Sequence, residues 1–213
     1  MRILIGTPVA KTVEERYAHS LFGLCKYETA RGNDIDLVLE RGPRIHHNRN
    51  QIAHQFLAGD YEWLFQIDMD VAIPMDALQR FLGRKKDVVF GMYVLMMNTV
   101  PHASFYMMKD NGRYTPTGKF GDGLIEIDAG GTGLCLTHRR VVEAVGKLDY
   151  GETFPWFDLT PTKGGWYSED FTFCQRIKEA GYKIYGDCDV ESGHIKDAFY
   201  GNKGLTNTKG DTT

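Results

Sequence analysis

The stretch FQIDMDVAIP, residues 65–74, runs from an apolar strand into two aspartates, Asp68 and Asp70, and stops at Pro74. In an extended strand, residues two apart point to the same side. The spacing therefore predicts that Asp68 and Asp70 face one point, with Met69 turned away. Two carboxylates held close repel unless a cation lies between them or one is protonated. Oxygen ligands of this kind suit magnesium or manganese, which keep positions open for substrate phosphates. The end of a parallel strand is also where open α/β sheets hold ligands. The plainer alternative pairs Asp68 with an arginine and leaves Asp70 to cap the next turn.

Working outward, RILI (2–5), DIDLVL (34–39), YEWLFQID (61–68) and KDVVFGMYV (86–94) read as strands. Helical spacing of apolar residues runs from Tyr17 through Leu21, Leu24 and Cys25 to Gly32, and again from about Asn50 to Gly59. Pro74 fits the opening of a third helix. Strands separated by helices predict a mostly parallel sheet covered on both faces. Past residue 100 the pattern changes. HASFYMMKDNGRYTPTG and GLIEIDAGG read as antiparallel hairpin material turning at Asn111–Gly112. GLCLTHRRVVEAV reads as a strand entering a helix, SEDFTFCQRIKEAGY as a helix stopped by Gly181, and KIYGDCDV as a last strand. The expectation is one α/β unit over residues 1–200 with a small antiparallel addition. A flexible tail over 201–213, rich in Gly, Thr, Lys and Asn, follows it.

The 213 residues are enough to bury a substantial core. The formal net charge of -3 supplies no global basic field, so nucleic acid and anionic membranes are not favoured partners. No apolar run reaches the ~20 residues that span a bilayer. The opening MRILIGTPVAKT turns polar too soon for a secretory signal, which makes a cytoplasmic protein the expectation. Cys25, Cys135, Cys174 and Cys188 form no C-x-x-C pair and read as free thiols, not a zinc site.

Three further features carry chemistry. Ser168 is a natural N-cap, and Glu169 and Asp170 follow it in the first turn, where the helix dipole favours anions. Capping alone explains that pattern. A carboxylate kept ionised there also suits a general base toward a hydroxyl. His194 follows the last strand and a glycine. It is either a surface residue or an imidazole ligand beside Asp68 and Asp70, which would tilt the metal toward manganese. Trp156, Phe157, Trp166 and Tyr167 are either loop core or a stacking surface for a sugar ring. Lys196 and Lys203 are tail cations, solvated or closing over a diphosphate.

These elements, in this order, resemble the GT-A fold glycosyltransferases that use nucleotide sugars, most closely the inverting family 2 type. ILIGTP resembles the family's first strand, NRNQIAHQFL its helix before the metal strand, and QIDMDVAIP its metal-binding D-x-D. DAGGTGLCLTHRRVVEAVG resembles its glycine-rich donor-sugar stretch. SEDFTFCQRIKEAGYKIYGDCDVESGHI resembles its catalytic helix and closing metal histidine. The resemblance implies Asp68, Asp70 and His194 as ligands of Mn2+ or Mg2+. It implies Asp170 as base with Glu169 beside it. Thr7, Pro8, Arg49, Asp68, Gly131 and Thr132 would contact the nucleotide sugar, with Trp156 and Trp166 on the acceptor side. The implied activity is inverting transfer from a nucleoside-diphosphate sugar, UDP-linked by default, to a glycan or other hydroxyl acceptor. A nucleic-acid acceptor is possible but disfavoured. Two rivals use the same residues: a metal-dependent nucleotidyltransferase, and a non-catalytic protein that binds carbohydrate or nucleotide sugar.

Overall fold

Alternation of buried side chains along four strands organises this chain, whose structure here is a computed structural model. It describes residues 1–10, 12–97, 100–117, 122–150, 154–162, 165–190 and 192–196. The expected tail over 201–213, and Lys203 in it, lie outside the described residues.

The first half contains β1 (Arg2–Val9), α1 (Glu15–Ala30), β2 (Asp34–Arg41), α2 (Ile45–Ala58), β3 (Trp63–Ile67), β4 (Val71–Ala72), α3 (Ala77–Gly83) and β5 (Val88–Gly91). Short strands follow: β6 (Val94–Met97), β7 (Val100–Ala103), β8 (Phe105–Met108), β9 (Tyr114–Pro116), β10 (Leu124–Ile127) and β11 (Ala129–Gly130). Then come β12 (Leu134–His138), α4 (Arg139–Gly146), β13 (Thr160–Thr162), β14 (Gly165–Tyr167), α5 (Glu169–Glu179), β15 (Ile184–Asp187) and β16 (Gly193–His194).

The central sheet has the order β10-β15-β5-β12-β3-β1-β2. Five strands run one way, while β12 and β10 run against them. The expected strand before α4 therefore exists as β12, but in the middle of the sheet, antiparallel to both β3 and β5. Its apolar run LCL, buried throughout, is what a strand covered on both faces needs. The expected antiparallel addition is the β11-β8-β9 sheet. Its hairpin turns at Gly112, whose φ of 75° is readily adopted only by glycine.

Successive residues feed opposite cores. Leu4, Leu64, Val88, Phe90 and Cys135 pack with Ile52 and Phe56 of α2, Val141 and Val145 of α4, and Phe173 and Ile177 of α5. Ile3, Ile5, Phe65, Val89, Leu134 and Leu136 pack with Tyr17, Leu21 and Leu24 of α1 and with Leu78 and Phe81 of α3. The helices thus cover both faces, and the strand ends are left to form a cleft. Helix α2 begins at Ile45, earlier than the apolar spacing predicts, so Asn48 and Arg49 ride on it and are buried. All four cysteines are free thiols. Among the described residues no helix is long and apolar enough to cross a membrane.

Candidate active site

Strand β3 ends at Ile67, just before Asp68. The Val71 N–H donates to the Asp68 carbonyl at 3.0 Å, so the aspartates lie in a turn and not in a continuing strand. The two-residue period no longer governs them, and their side chains take different partners. Asp68 accepts from Arg49 Nη2 at 2.9 and 3.2 Å. Asp70 accepts from Lys196 Nζ at 2.6 Å, with His194 Nε2 at 3.4 Å. Both still line one cleft, but each carboxylate has its own cationic partner. The alternative pairing of Asp68 with an arginine is what the turn produces.

His194 reaches Asp70 through a short antiparallel ladder. Gly193 lies opposite Ala72 and His194 opposite Val71, and the Ile195 N–H donates to the Asp70 carbonyl at 2.7 Å. The imidazole Nδ1 contacts the Val94 carbonyl at 2.8 Å. A carbonyl only accepts, so this contact places a proton on Nδ1 and turns Nε2 toward Asp70. That orientation suits metal ligation, where the second ring nitrogen is held by a carbonyl. Burial raises the Asp70 carboxyl, but hydrogen bonds from His194 and Lys196 outweigh it and bring the value down to about 2. A carboxylate and an imidazole nitrogen side by side fit a divalent cation, which would take the place of the proton between them and be completed by ligand oxygens. Among the described residues no group of three His, Cys, Asp or Glu stands gathered as a metal cluster.

The other half of the cleft centres on Arg49, which is 1 % exposed. Besides Asp68, it has Asp170 at 3.9 Å and Glu169 at 4.0 Å. Burial alone would make the guanidinium easier to deprotonate, but Asp68, Asp170 and Glu169 together raise its pKa. The Glu169 carboxyl is pushed up by burial and by the charge of Asp170. Asp68 is pushed up too, because burial outweighs the help of Arg49. Ser168 sits at the N-cap of α5, as predicted, but its side chain makes no cap hydrogen bond. Asp170 Oδ1 instead accepts from the Thr132 N–H at 3.2 Å and from the Thr132 hydroxyl.

The glycines of DAGGTG have a steric reason. A Cβ on Gly131 would lie 2.0 Å from the Tyr93 hydroxyl, and one on Gly133 would lie 2.8 Å from Asp68 Oδ2. Tyr93 was not legible as a site residue, because VVFGMYV reads as one uninterrupted strand. Its signal is position: an aromatic directly past the end of β5, on the edge where α/β sheets hold ligands.

Pro8, Arg49, Asp68, Asp70, Glu169, Asp170 and His194 line one cleft of about 330 Å3. Gly131 lines the adjoining passage with Asp170. Thr7 does not face the cleft with its side chain, which is buried and bonded to the Tyr17 hydroxyl at 2.5 Å. Trp156 also departs from expectation. It is 3 % exposed, and its indole N–H donates to the Val142 carbonyl at 2.8 Å, so it is core and not acceptor surface. Trp166 is 68 % exposed.

No protein-family model matches this chain, and no curated protein matches it by sequence. Solved structures do. A197 from STIV superposes with a TM-score of 0.58 at 20% identity, covering 92% of this chain and 87% of that one. GalNAc-T7, solved with UDP, GalNAc and Mn2+, gives 0.57 at 12% identity and 92% coverage, and the chain spans 44% of its length. The catalytic domain of Drosophila β1,4-galactosyltransferase 7, solved with xylobiose, gives 0.54 at 12% identity, covering 100% of this chain and 82% of that one. The chain has the GT-A fold found in glycosyltransferases.

Proposed function

We propose that this protein is a glycosyltransferase that moves a sugar from a nucleoside diphosphate, UDP by default, to an acceptor hydroxyl with inversion. The observation that carries the reading is the single cleft that joins two kinds of group. Asp70 and His194 Nε2 stand at one side as a cation-binding pair, and Asp170 stands at the other as a proton acceptor. Asp70 and His194 would hold Mn2+ or Mg2+. When bound, that cation supplies Lewis-acid stabilisation for a departing diphosphate. GalNAc-T7, which shares the fold, was solved with UDP and Mn2+.

The remaining roles belong to the chain itself. Arg49 fixes Asp68 at the floor of the cleft and compensates the carboxylates around it. Thr132 holds Asp170 by Oδ1, and Oδ2 takes no hydrogen bond from the described residues. Oδ2 is the oxygen that would receive the proton of the attacking hydroxyl. Glu169, with its raised carboxyl, lies beside it as a second proton carrier. Attack from the face opposite the diphosphate inverts the anomeric centre and needs no carboxylate nucleophile. Pro8 would border the nucleotide and Gly131 the donor sugar, with Thr132 beside it on Asp170, and Lys196 would exchange Asp70 for a phosphate.

Calorimetric titration with UDP, GDP, CDP and TDP, each with and without Mn2+, tests the reading on the wild type and on Asp70→Ala. The expected result is tight binding of one nucleotide only with metal, lost in the variant. Binding that ignores both metal and Asp70, or no binding, overturns it.

A further inference from the structure

Asp170 lines a second cavity besides the cleft. This passage of about 140 Å3 shares Tyr93, Leu95 and Asp170 with the cleft, and shares Ser168 and Phe171 with a hollow of about 870 Å3. The hollow lies between the β8–β9 turn, with Asn111 and Arg113, and the β13–β14 hairpin, with Trp166. Its floor is fixed. Tyr114 stacks on Phe171 at 4.6 Å and 7° and meets Tyr167 edge-on at 5.4 Å. The Tyr167 hydroxyl donates to the Gly112 carbonyl at 3.1 Å, which ties one hairpin to the other.

Two groups in the hollow are not committed. Trp166 is largely exposed and, among the described residues, stacks on no other ring. Arg113 is exposed, and its guanidinium makes no hydrogen bond or ion pair to a described residue. Arg2, Arg49, Arg80, Arg84, Arg139 and Arg140, by contrast, each hold a carboxylate. An exposed aromatic face recognises the apolar face of a sugar ring. A free guanidinium fork recognises a carboxylate or phosphate through two parallel hydrogen bonds.

We propose that this hollow is the acceptor site and that the acceptor is an acidic oligosaccharide. The reacting hydroxyl enters the passage toward Asp170, the preceding rings lie on Trp166, and an anionic substituent reaches Arg113. This deepens the glycosyltransferase reading and rests on it for the role of Asp170.

The test is calorimetry on the full chain, with and without UDP and Mn2+, using three probes: a trigalacturonate, its carboxyl-reduced neutral counterpart, and a phosphorylated trisaccharide. An anionic probe is expected to bind about tenfold or more tighter than the neutral one. Arg113→Gln is expected to erase that difference without weakening the neutral probe, and Trp166→Ala to weaken all three. The carboxylate and phosphate arms decide which anion is taken. An unchanged unfolding midpoint for Arg113→Gln excludes misfolding, since the residue is exposed. Equal binding of neutral and acidic probes overturns the proposal. So does an anion preference that survives Arg113→Gln, and so does failure of all three probes to bind. The readout is acceptor binding, so it separates from the nucleotide experiment. Loss of the Asp70 result with this one intact removes the donor reading alone, and the reverse removes only the acceptor class.

Discussion

Arg49 donates through one nitrogen, Nη2, to both oxygens of Asp68, at 2.9 and 3.2 Å, from a position almost wholly out of water. The pair joins α2 to the end of β3 and forms the base of the cleft. Asp170 and Glu169, on α5, lie 3.9 and 4.0 Å from the same guanidinium. One cation therefore holds three elements together by charge, and it also keeps three carboxylates tolerable within one cavity.

Removing that cation has a predictable cost. Breaking a buried pair by deleting one partner leaves an uncompensated charge and costs ~3–5 kcal/mol. Arg49→Met is expected to lose stability in that range by urea denaturation, and to lose nucleotide binding with it. Arg49→Lys is not expected to rescue, because an ammonium on a flexible stem cannot replace the planar fork between Asp68 and α5. A loss below ~1 kcal/mol for Arg49→Met would show that surface screening, not burial, governs the pair.

The carboxyls of the cleft give stability profiles of opposite sign. Glu169 is raised by burial and by Asp170, so the folded state binds its proton more readily than the unfolded chain does. Its contribution is full below the ordinary glutamate value of 4.5 and is lost as pH rises through the folded value. Glu169→Gln is thus expected to melt above wild type at pH 7, with the gap closing as pH falls toward 4.5. Asp70 is the reverse. Burial opposes its charge, but His194 and Lys196 bring it down to about 2 from an ordinary 3.8. Its contribution is present above 3.8 and lost as pH falls toward 2. Asp70→Asn is expected to melt below wild type at pH 7, with that gap closing in acid. Thermal melts from pH 2 to 7 on both variants check the two signs. Parallel profiles would contradict the assignment.

The sequence exposed the strand ends and hid what happens just past them. The apolar runs at β1, β3 and β5 specify covered strands, and the helical spacings between them specify the covering layers. The antiparallel place of β12 is not written in LCLTH, because a strand buried on both faces reads the same in either direction. The D-x-D spacing located the cleft that both carboxylates line, but not the turn that holds them, since the bond between Val71 N–H and the Asp68 carbonyl replaces strand geometry there. Among the aromatics, Trp156 and Phe157 became core while Trp166 stayed on the surface. Composition cannot separate those fates, because the contact that decides is the Val142 carbonyl on the preceding helix α4.

Gly131 offers a test of the close approach beside Tyr93. A methyl group there would fall 2.0 Å from the Tyr93 hydroxyl and 3.0 Å from the ring carbon that bears it. Tyr93 is pinned in turn: its N–H donates to Ser104 Oγ at 3.1 Å, and the Ser104 N–H donates to its carbonyl at 3.0 Å. Overpacking of this kind costs ~1–3 kcal/mol. Gly131→Ala is expected to lose stability in that range, and adding Tyr93→Phe to recover part of it, a non-additivity that a double-mutant cycle measures directly. Strict additivity would mean that the hydroxyl is not what the methyl group meets.

The last prediction concerns the segment that delivers His194. Asp187, at the end of β15, is fully buried and takes a two-pronged contact from Arg84: Nε to Oδ2 at 2.8 Å and Nη2 to Oδ1 at 2.9 Å. Its Oδ1 also accepts from the Asp189 N–H at 2.9 Å, which shapes the chain as it leaves the strand toward β16. Asp189 holds the same arginine from an exposed position, 45% accessible at the side chain. The two aspartates thus share a partner and differ in burial. Asp187→Ala strips a buried acceptor from a charged donor and is expected to cost ~3–5 kcal/mol. Asp189→Ala removes an exposed ion pair, expected to cost under ~1 kcal/mol. Because Asp187 also fixes the path toward His194, its variant is expected to weaken Mn2+-dependent nucleotide binding under conditions where it remains folded, and Asp189→Ala to do so far less. Equal losses from both changes would place the path to His194 under the control of charge at the surface, and not of the buried contact.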